Sequence, residues 1–268
     1  MRRILTITMA LALAFTTTAS VAEARKKARY RHQPVSVPQK LGDMQRCDGG
    51  VMITAQDQIN GCTRIIASHA NRATKSVAYY NRANALLKLS QAAGAIEDYD
   101  KALSLNAAYV QAHFNRAIAW QITGNWMKSL ADLDAALALE PGDPDTLAAR
   151  GLLQLRLART APASADIERA LSLNPRHVGA LTGRAHLRAR AHEWASALED
   201  YEVALQLTPQ SPEALYGRGL VLVWTGKSQP GEADMLQAMN FNPGVADRMA
   251  AFGLTRTPSP LAAATLAN

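Results

Sequence analysis

Between residues 76 and 245, apolar and small side chains fall on helical spacing in blocks that repeat every 34 residues without insertion or deletion. The clearest column reads Ala102-Leu103, Ala136-Leu137, Ala170-Leu171, Ala204-Leu205 and Ala238-Met239. Each block holds two helical stretches. The first carries one small residue, at Ala83, Ala117, Gly151, Ala185 and Gly219. The second carries a small residue at Ala95, Ser129, Ala163 and Ala197, and a large one at Tyr99, Leu133, Ile167, Tyr201 and Met235. Small side chains at fixed positions predict close helix approach there, and the large ones fill the gaps between. Pro141, Pro175, Pro209 and Pro243 end four of the units because proline cannot continue a helix; Ala107 stands at that place in the first. In the fifth unit, Gln229-Pro230-Gly231 predicts a second helix that starts late, near Gly231.

These columns resemble the tetratricopeptide-repeat family, whose unit is a pair of antiparallel helices. The resemblance implies an all-α fold, a right-handed α–α superhelix of five units at 76–109, 110–143, 144–177, 178–211 and 212–245. Terminal units of such an array need covers for their open apolar faces. Asp57 to Ala70, with Ile59, Cys62, Ile65 and Ile66 on one side, reads as a helix within a degenerate half-repeat at 41–75. Residues 246–254 read as a capping helix at the other end, followed by a disordered tail at 255–268.

The N-terminal segment sets the expected location. Arg2 and Arg3 precede an apolar stretch over residues 4–15, and Ala22-Glu23-Ala24 supplies a small-residue cleavage site. Residues 1–24 therefore read as a signal peptide, cut after Ala24 or Ala22, which predicts a periplasmic or secreted protein. Thr6, Thr8, Thr16, Thr17, Thr18 and Ser20 make the stretch too polar for a good membrane anchor. Export in turn changes the reading of the cysteines: the only two in the chain, Cys47 and Cys62, are expected to close a disulfide in an oxidising compartment. Signal segment, cysteine pair and repeats together resemble small exported tetratricopeptide proteins of Gram-negative bacteria. Residues 25–40 form a disordered linker whose Arg25 to His32 stretch is basic; it is the one cluster suited to anionic lipid or cell-wall polymer.

An ionic column runs in phase with the apolar ones. Arg82, Arg116, Arg150, Arg184 and Arg218 each precede, by 16 residues, an aspartate: Asp98, Asp132, Asp166, Asp200 and Asp234. Active sites do not recur five times, so this column reads as a structural ion-pair ladder, with each pair formed within or between units along the solenoid. The six histidines lack metal-ligand spacing, and Gly217-Arg218-Gly219 has no strand before it, which makes it a packing feature rather than a phosphate loop. No catalytic residue, metal or cofactor is expected, and the chain reads as a non-enzyme. A formal charge of +7 alone does not indicate nucleic acid, and export argues against it.

Function then falls to the concave groove that the family resemblance assigns to the first helices. The implied partner-binding positions are Tyr80, Asn81 and Asn84 in the first unit, Phe114, Asn115 and Ile118 in the second, and Leu152 and Arg156 in the third. His186 and Arg190 follow in the fourth, and Tyr216, Leu220 and Trp224 in the fifth. Amides at one end suit a peptide backbone, the apolar middle suits side chains, and Arg156, His186 and Arg190 suit a carboxylate. The expected partner is a protein or peptide of the cell envelope.

Overall fold

A computed structural model describes residues 42–257 of the chain. The expected signal peptide (1–24), the expected basic linker (25–40) and residues 258–268 of the expected tail lie outside the described residues. Among the described residues there are thirteen helices and no strand. They are α1 Asp43–Asp48, α2 Ala55–Ala67, α3 Arg72–Lys88, α4 Ala92–Leu105, α5 Val110–Ile122, α6 Trp126–Leu139 and α7 Pro144–Arg156. The remainder are α8 Thr160–Leu173, α9 Val178–Arg190, α10 Trp194–Leu207, α11 Pro212–Trp224, α12 Ser228–Phe241 and α13 Val245–Ala251.

Consecutive helices pack as pairs, α3 on α4, α5 on α6, and so on to α11 on α12, and each second helix then packs on the first helix of the next pair. The small columns sit where the axes cross: Ala83, Ala117, Ala185, Ala95, Ser129, Ala163 and Ala197 have no exposed surface. The fifth pair approaches most tightly. A Cβ on Gly219 would lie 2.6 Å from the carbonyl oxygen of Gly231 on the opposite helix, so neither position accepts a larger residue without the helices parting. Tyr99, Leu133, Ile167 and Tyr201 fill the spaces between crossings and are fully buried.

Helix ends repeat as faithfully as the core. Asp143, His177 and Ser211 occupy one column and each accepts a hydrogen bond from the backbone N–H three residues on, capping α7, α9 and α11. Between the two helices of each pair, one residue adopts positive φ: Ser90, Gly124, Ala158, His192 and Gly226, again 34 apart. Three of these five carry a Cβ in a conformation that favours glycine. At the other turn, Asn106, Glu140, Asn174, Thr208 and Asn242 take an extended conformation that stops the second helix. Asn106 does so before Ala107, so proline enforces this turn but is not required for it.

Two sequence expectations change. Helix α12 begins at Ser228, in register with Trp126, Thr160 and Trp194, rather than near Gly231. Pro230 falls in the first turn, where its missing N–H has no intrahelical acceptor to lose, and Pro162 does the same in α8. After the fifth pair, the capping helix α13 stops at Ala251 rather than running to 254, Gly253 turns with φ of 78°, and Leu254 and the Arg256 carbonyl return to α11. Leu254 is buried, and the indole Nε1 of Trp224 donates to the carbonyl of Arg256 at 3.2 Å. Exposed apolar surface on α11 supplies the reason, since Val245, Met249 and Leu254 join one cluster with Leu220 and Trp224.

At the N-terminal end, Cys47 and Cys62 form a disulfide that holds α1 against α2. Gln58 is buried beside it and donates to the carbonyl of Cys47 at 3.1 Å.

Candidate functional site

Curvature decides which surface is concave. Successive first helices touch one another, α3 with α5, α7 with α9 and α9 with α11, while among the described residues no contact of that extent links α4, α6, α8, α10 and α12. First helices therefore line the inside. The contact between α7 and α9 is more extensive than that between α5 and α7.

The groove residues inferred from the sequence divide into three groups. At the α3–α5 end, Tyr80, Asn81, Asn84 and Asn115 are partly exposed. Asn84 Oδ1 accepts from the Tyr99 hydroxyl at 2.5 Å and from Asn115 Nδ2 at 2.9 Å, and Asn115 Nδ2 also donates to the Tyr80 hydroxyl at 3.1 Å. Burial pushes the Tyr99 hydroxyl well above its ordinary pKa, so it stays a donor. This network fixes both amides and leaves Asn84 Nδ2 as a donor and Asn115 Oδ1 as an acceptor without partners among the described residues. Asn81 makes no side-chain hydrogen bond among them.

In the middle group, Ile118 is exposed, Leu152 is partly exposed, and Phe114 packs on the cluster formed by Ala117, Leu130, Leu133 and Leu153. The Arg156 guanidinium lies over the Trp126 ring, 4.0 Å from its centroid.

The third group departs from expectation. His186, Tyr216, Leu220 and Trp224 are buried, at 0, 7, 0 and 9% exposure, and of the four only His186 borders the cleft that remains, beneath Phe252. The chain end is the cause: Phe252 stacks near His186 with ring centroids 5.2 Å apart, and Arg256 covers Trp224. His186 Nδ1 is bonded to the Tyr201 hydroxyl at 2.7 Å, and burial pulls its pKa down to about 3, which keeps the ring neutral. In this arrangement it cannot reach a partner's carboxylate. Arg190 stays partly exposed against Gly253.

What remains open is a cleft of about 580 Å³ running from α5 across α7 to α9 and α13. Ile118, Ile122, Trp126, Leu152, Val178 and Phe252 form its apolar wall, and Arg156, Glu213 and Arg248 are its charged side chains.

The ionic column lies away from this groove and holds the helix pairs in register. Arg82 meets Asp98 through Nε and Nη2 at 2.6 and 2.7 Å, and Arg116, Arg150, Arg184 and Arg218 repeat the two-point contact with Asp132, Asp166, Asp200 and Asp234. A second carboxylate escapes a reading confined to one unit. Arg116 also reaches Asp100 at 2.6 Å, Arg150 reaches Asp134 at 2.8 Å, and Arg184 reaches Glu168 at 3.5 Å, each in the preceding unit. Asp100, Asp134, Glu168 and Glu202 are themselves spaced by 34, a signal present in the sequence. The ladder thus ties neighbouring units together as well as the two helices of one. Hydrogen bonds to these carboxylates hold the guanidinium pKa values above the ordinary arginine value.

Among the described residues, no group of three His, Cys, Asp or Glu side chains is placed to hold a metal ion, and no helix is long and apolar enough to cross a membrane.

With this geometry in view, comparison with known proteins is informative. The family model described as tetratricopeptide repeat matches residues 80–144, 148–212 and 182–234, together more than half of the chain. No curated protein matches. A solved tetratricopeptide repeat protein from Parabacteroides merdae is similar with a TM-score of 0.59 at 17% identity, over 80% of this chain and 91% of that one. The Cut9–Hcn1 hetero-tetramer of the APC/C gives 0.61 at 13% identity, over 74% of this chain and 39% of the matched chain. MamA from Desulfovibrio magneticus RS-1 gives 0.52 at 14%, over 66% and 98%. At these identities the likeness concerns the fold.

Proposed function

The chain belongs to the tetratricopeptide-repeat family, and from that premise we propose that it is an exported, non-catalytic interaction module whose inner groove binds a peptide segment of another envelope protein. One observation carries the reading. Asn84 and Asn115 are locked side by side with one donor and one acceptor turned free, the complement of a single peptide unit, which brings one C=O and one N–H. An extended segment held there continues past Asn81 and Tyr80 toward Phe114 and Ile118, where apolar side chains find cover. The ladder supports this role by fixing the spacing of the first helices before any partner arrives, which lowers the ordering cost of binding. Export rests on the signal-like residues 1–24, and the disulfide between Cys47 and Cys62 suits the same compartment.

The test is capture from envelope extract with residues 25–268 as bait beside an Asn81→Ala/Asn115→Ala variant. Asn84 is left intact because it holds the buried Tyr99 hydroxyl. A partner retained by the parent protein and lost with the variant, while helical circular dichroism is unchanged, supports the groove. Capture lost only when residues 25–32 are deleted, and abolished by high salt, would assign binding to the basic segment and overturn the groove reading.

A further inference from the structure

The floor of the cleft between α5, α7, α9 and α13 carries an unmet chemical demand. Thr182 and His186 lie one turn apart on α9 and both border the cleft; Thr182 Oγ1 and His186 Nε2 are buried and have no hydrogen-bond partner. Buried polar atoms in folded proteins are nearly always paired, so two orphans beside one cavity need a reason. The imidazole tautomer follows from its other nitrogen. The Tyr201 hydroxyl is fully buried and has His186 Nδ1 as its single partner, so it donates to Nδ1 and the ring hydrogen sits on Nε2. Both orphans can therefore act as donors seeking an acceptor.

Charge gives the second constraint. The charge of Arg248 is balanced by Glu213, 2.7 Å from its Nη2, although its Nε and Nη2 make no hydrogen bond and add further buried donors to this cleft. Arg156, in contrast, lies over Trp126 with no carboxylate within 4 Å among the described residues. The cleft thus has one uncompensated positive charge, donors on its floor and an apolar wall. Its volume suits one small ligand. A peptide main chain would bring a donor and an acceptor at every residue, and the apolar stretch of wall offers nothing to pair them.

We infer that this cleft binds an amphiphilic monocarboxylic acid, its apolar body against Ile118, Leu152 and Val178 and its carboxylate taken by Thr182 and His186 in the field of Arg156. Phe252 now covers His186 and must swing aside. It follows a seven-residue helix just before the Gly253 turn and is only partly buried, whereas Val245, Met249 and Leu254, which seat the cap, are buried. This site is separate from the Asn84–Asn115 end of the groove and stands or falls independently of peptide binding there.

Titration calorimetry of the full chain with decanoate, methyl decanoate and the tripeptide acetyl-Ala-Leu-Leu with a free carboxylate tests the inference. Decanoate is expected to bind once per chain, with the methyl ester weaker by about tenfold. Thr182→Val, which keeps the shape of the side chain, and Arg156→Met are each expected to weaken decanoate by about tenfold. Phe252→Ala is expected to strengthen it, Asn81→Ala/Asn115→Ala to leave it unchanged, and the 15N signal of His186 Nε2 to shift on binding. Equal affinity for acid and ester, indifference to Thr182→Val, or binding of the tripeptide in preference to decanoate would overturn the inference.

Discussion

Asp132 offers the sharpest energetic test of the ladder. Its carboxylate is 4% exposed and accepts two hydrogen bonds from Arg116, at 2.8 and 2.5 Å, with His113 Nδ1 at 3.3 Å. Replacing it by alanine leaves the half-buried Arg116 guanidinium with only Asp100 to face it. Breaking a fully buried pair costs about 3–5 kcal/mol. Here the Arg116 side chain is 20% exposed and keeps one partner, so the expected loss falls to about 2–3 kcal/mol. The control is Asp100→Ala, which removes a carboxylate that is 53% exposed and is expected to cost about 0–1 kcal/mol. At roughly 2–4 °C per kcal/mol for a chain of this size, the Asp132→Ala midpoint should fall by about 4–12 °C and the Asp100→Ala midpoint by no more than about 4 °C. Urea unfolding followed by far-ultraviolet circular dichroism checks both, with the slope reporting whether cooperativity survives. Equal losses for the two variants, or a loss for Asp132→Ala below about 1 kcal/mol, would refute the claim that the buried rungs hold the helix pairs in register.

Two further outcomes follow from the same geometry. Ala158 occupies the positive-φ column with φ of 57°, so Ala158→Gly should raise the melting midpoint by about 1–4 °C, the relief of strain exceeding glycine's added chain entropy by roughly 0.5–1 kcal/mol. His186, whose pKa falls to about 3 on folding, binds its proton more readily in the unfolded chain, so its contribution to stability is complete above pH 6.5 and declines as the pH falls toward 3. Between pH 6.5 and 5 this amounts to about 2 kcal/mol, and the decline should be absent from a folded His186→Phe variant measured by denaturant titration across that range.

What the sequence disclosed depended on periodicity. Small and large columns, the closing prolines and the Arg–Asp offset recur every 34 residues, and each recurrence reports the same packing event, so the helix pairs are legible in the sequence alone. Two further periodic signals are harder to see in the sequence. The acidic column of Asp100, Asp134, Glu168 and Glu202 belongs to the contact between units, invisible when each unit is read alone. The turn column from Ser90 to Gly226 is masked because only two of its five members are glycine. The start of α12 is obscured in the sequence by Gln229-Pro230-Gly231, because Pro230 disfavours a helix interior but is tolerated in the first turn. Nothing periodic announced the chain end. Phe252 and Leu254 occur once, so their seat on His186 and the α11 surface depended on tertiary packing, and that packing turned four expected groove residues into core.

The central claim, that the inner face of the first helices is the partner surface, is tested most directly by amide hydrogen exchange on the complex with the captured partner. Slowed exchange and footprint protection along α3 and α5, extending toward α7, with α4, α6 and α8 unchanged, is the predicted result. Protection confined to the second helices, or to residues 25–32 ahead of the disulfide-held cap, would contradict it.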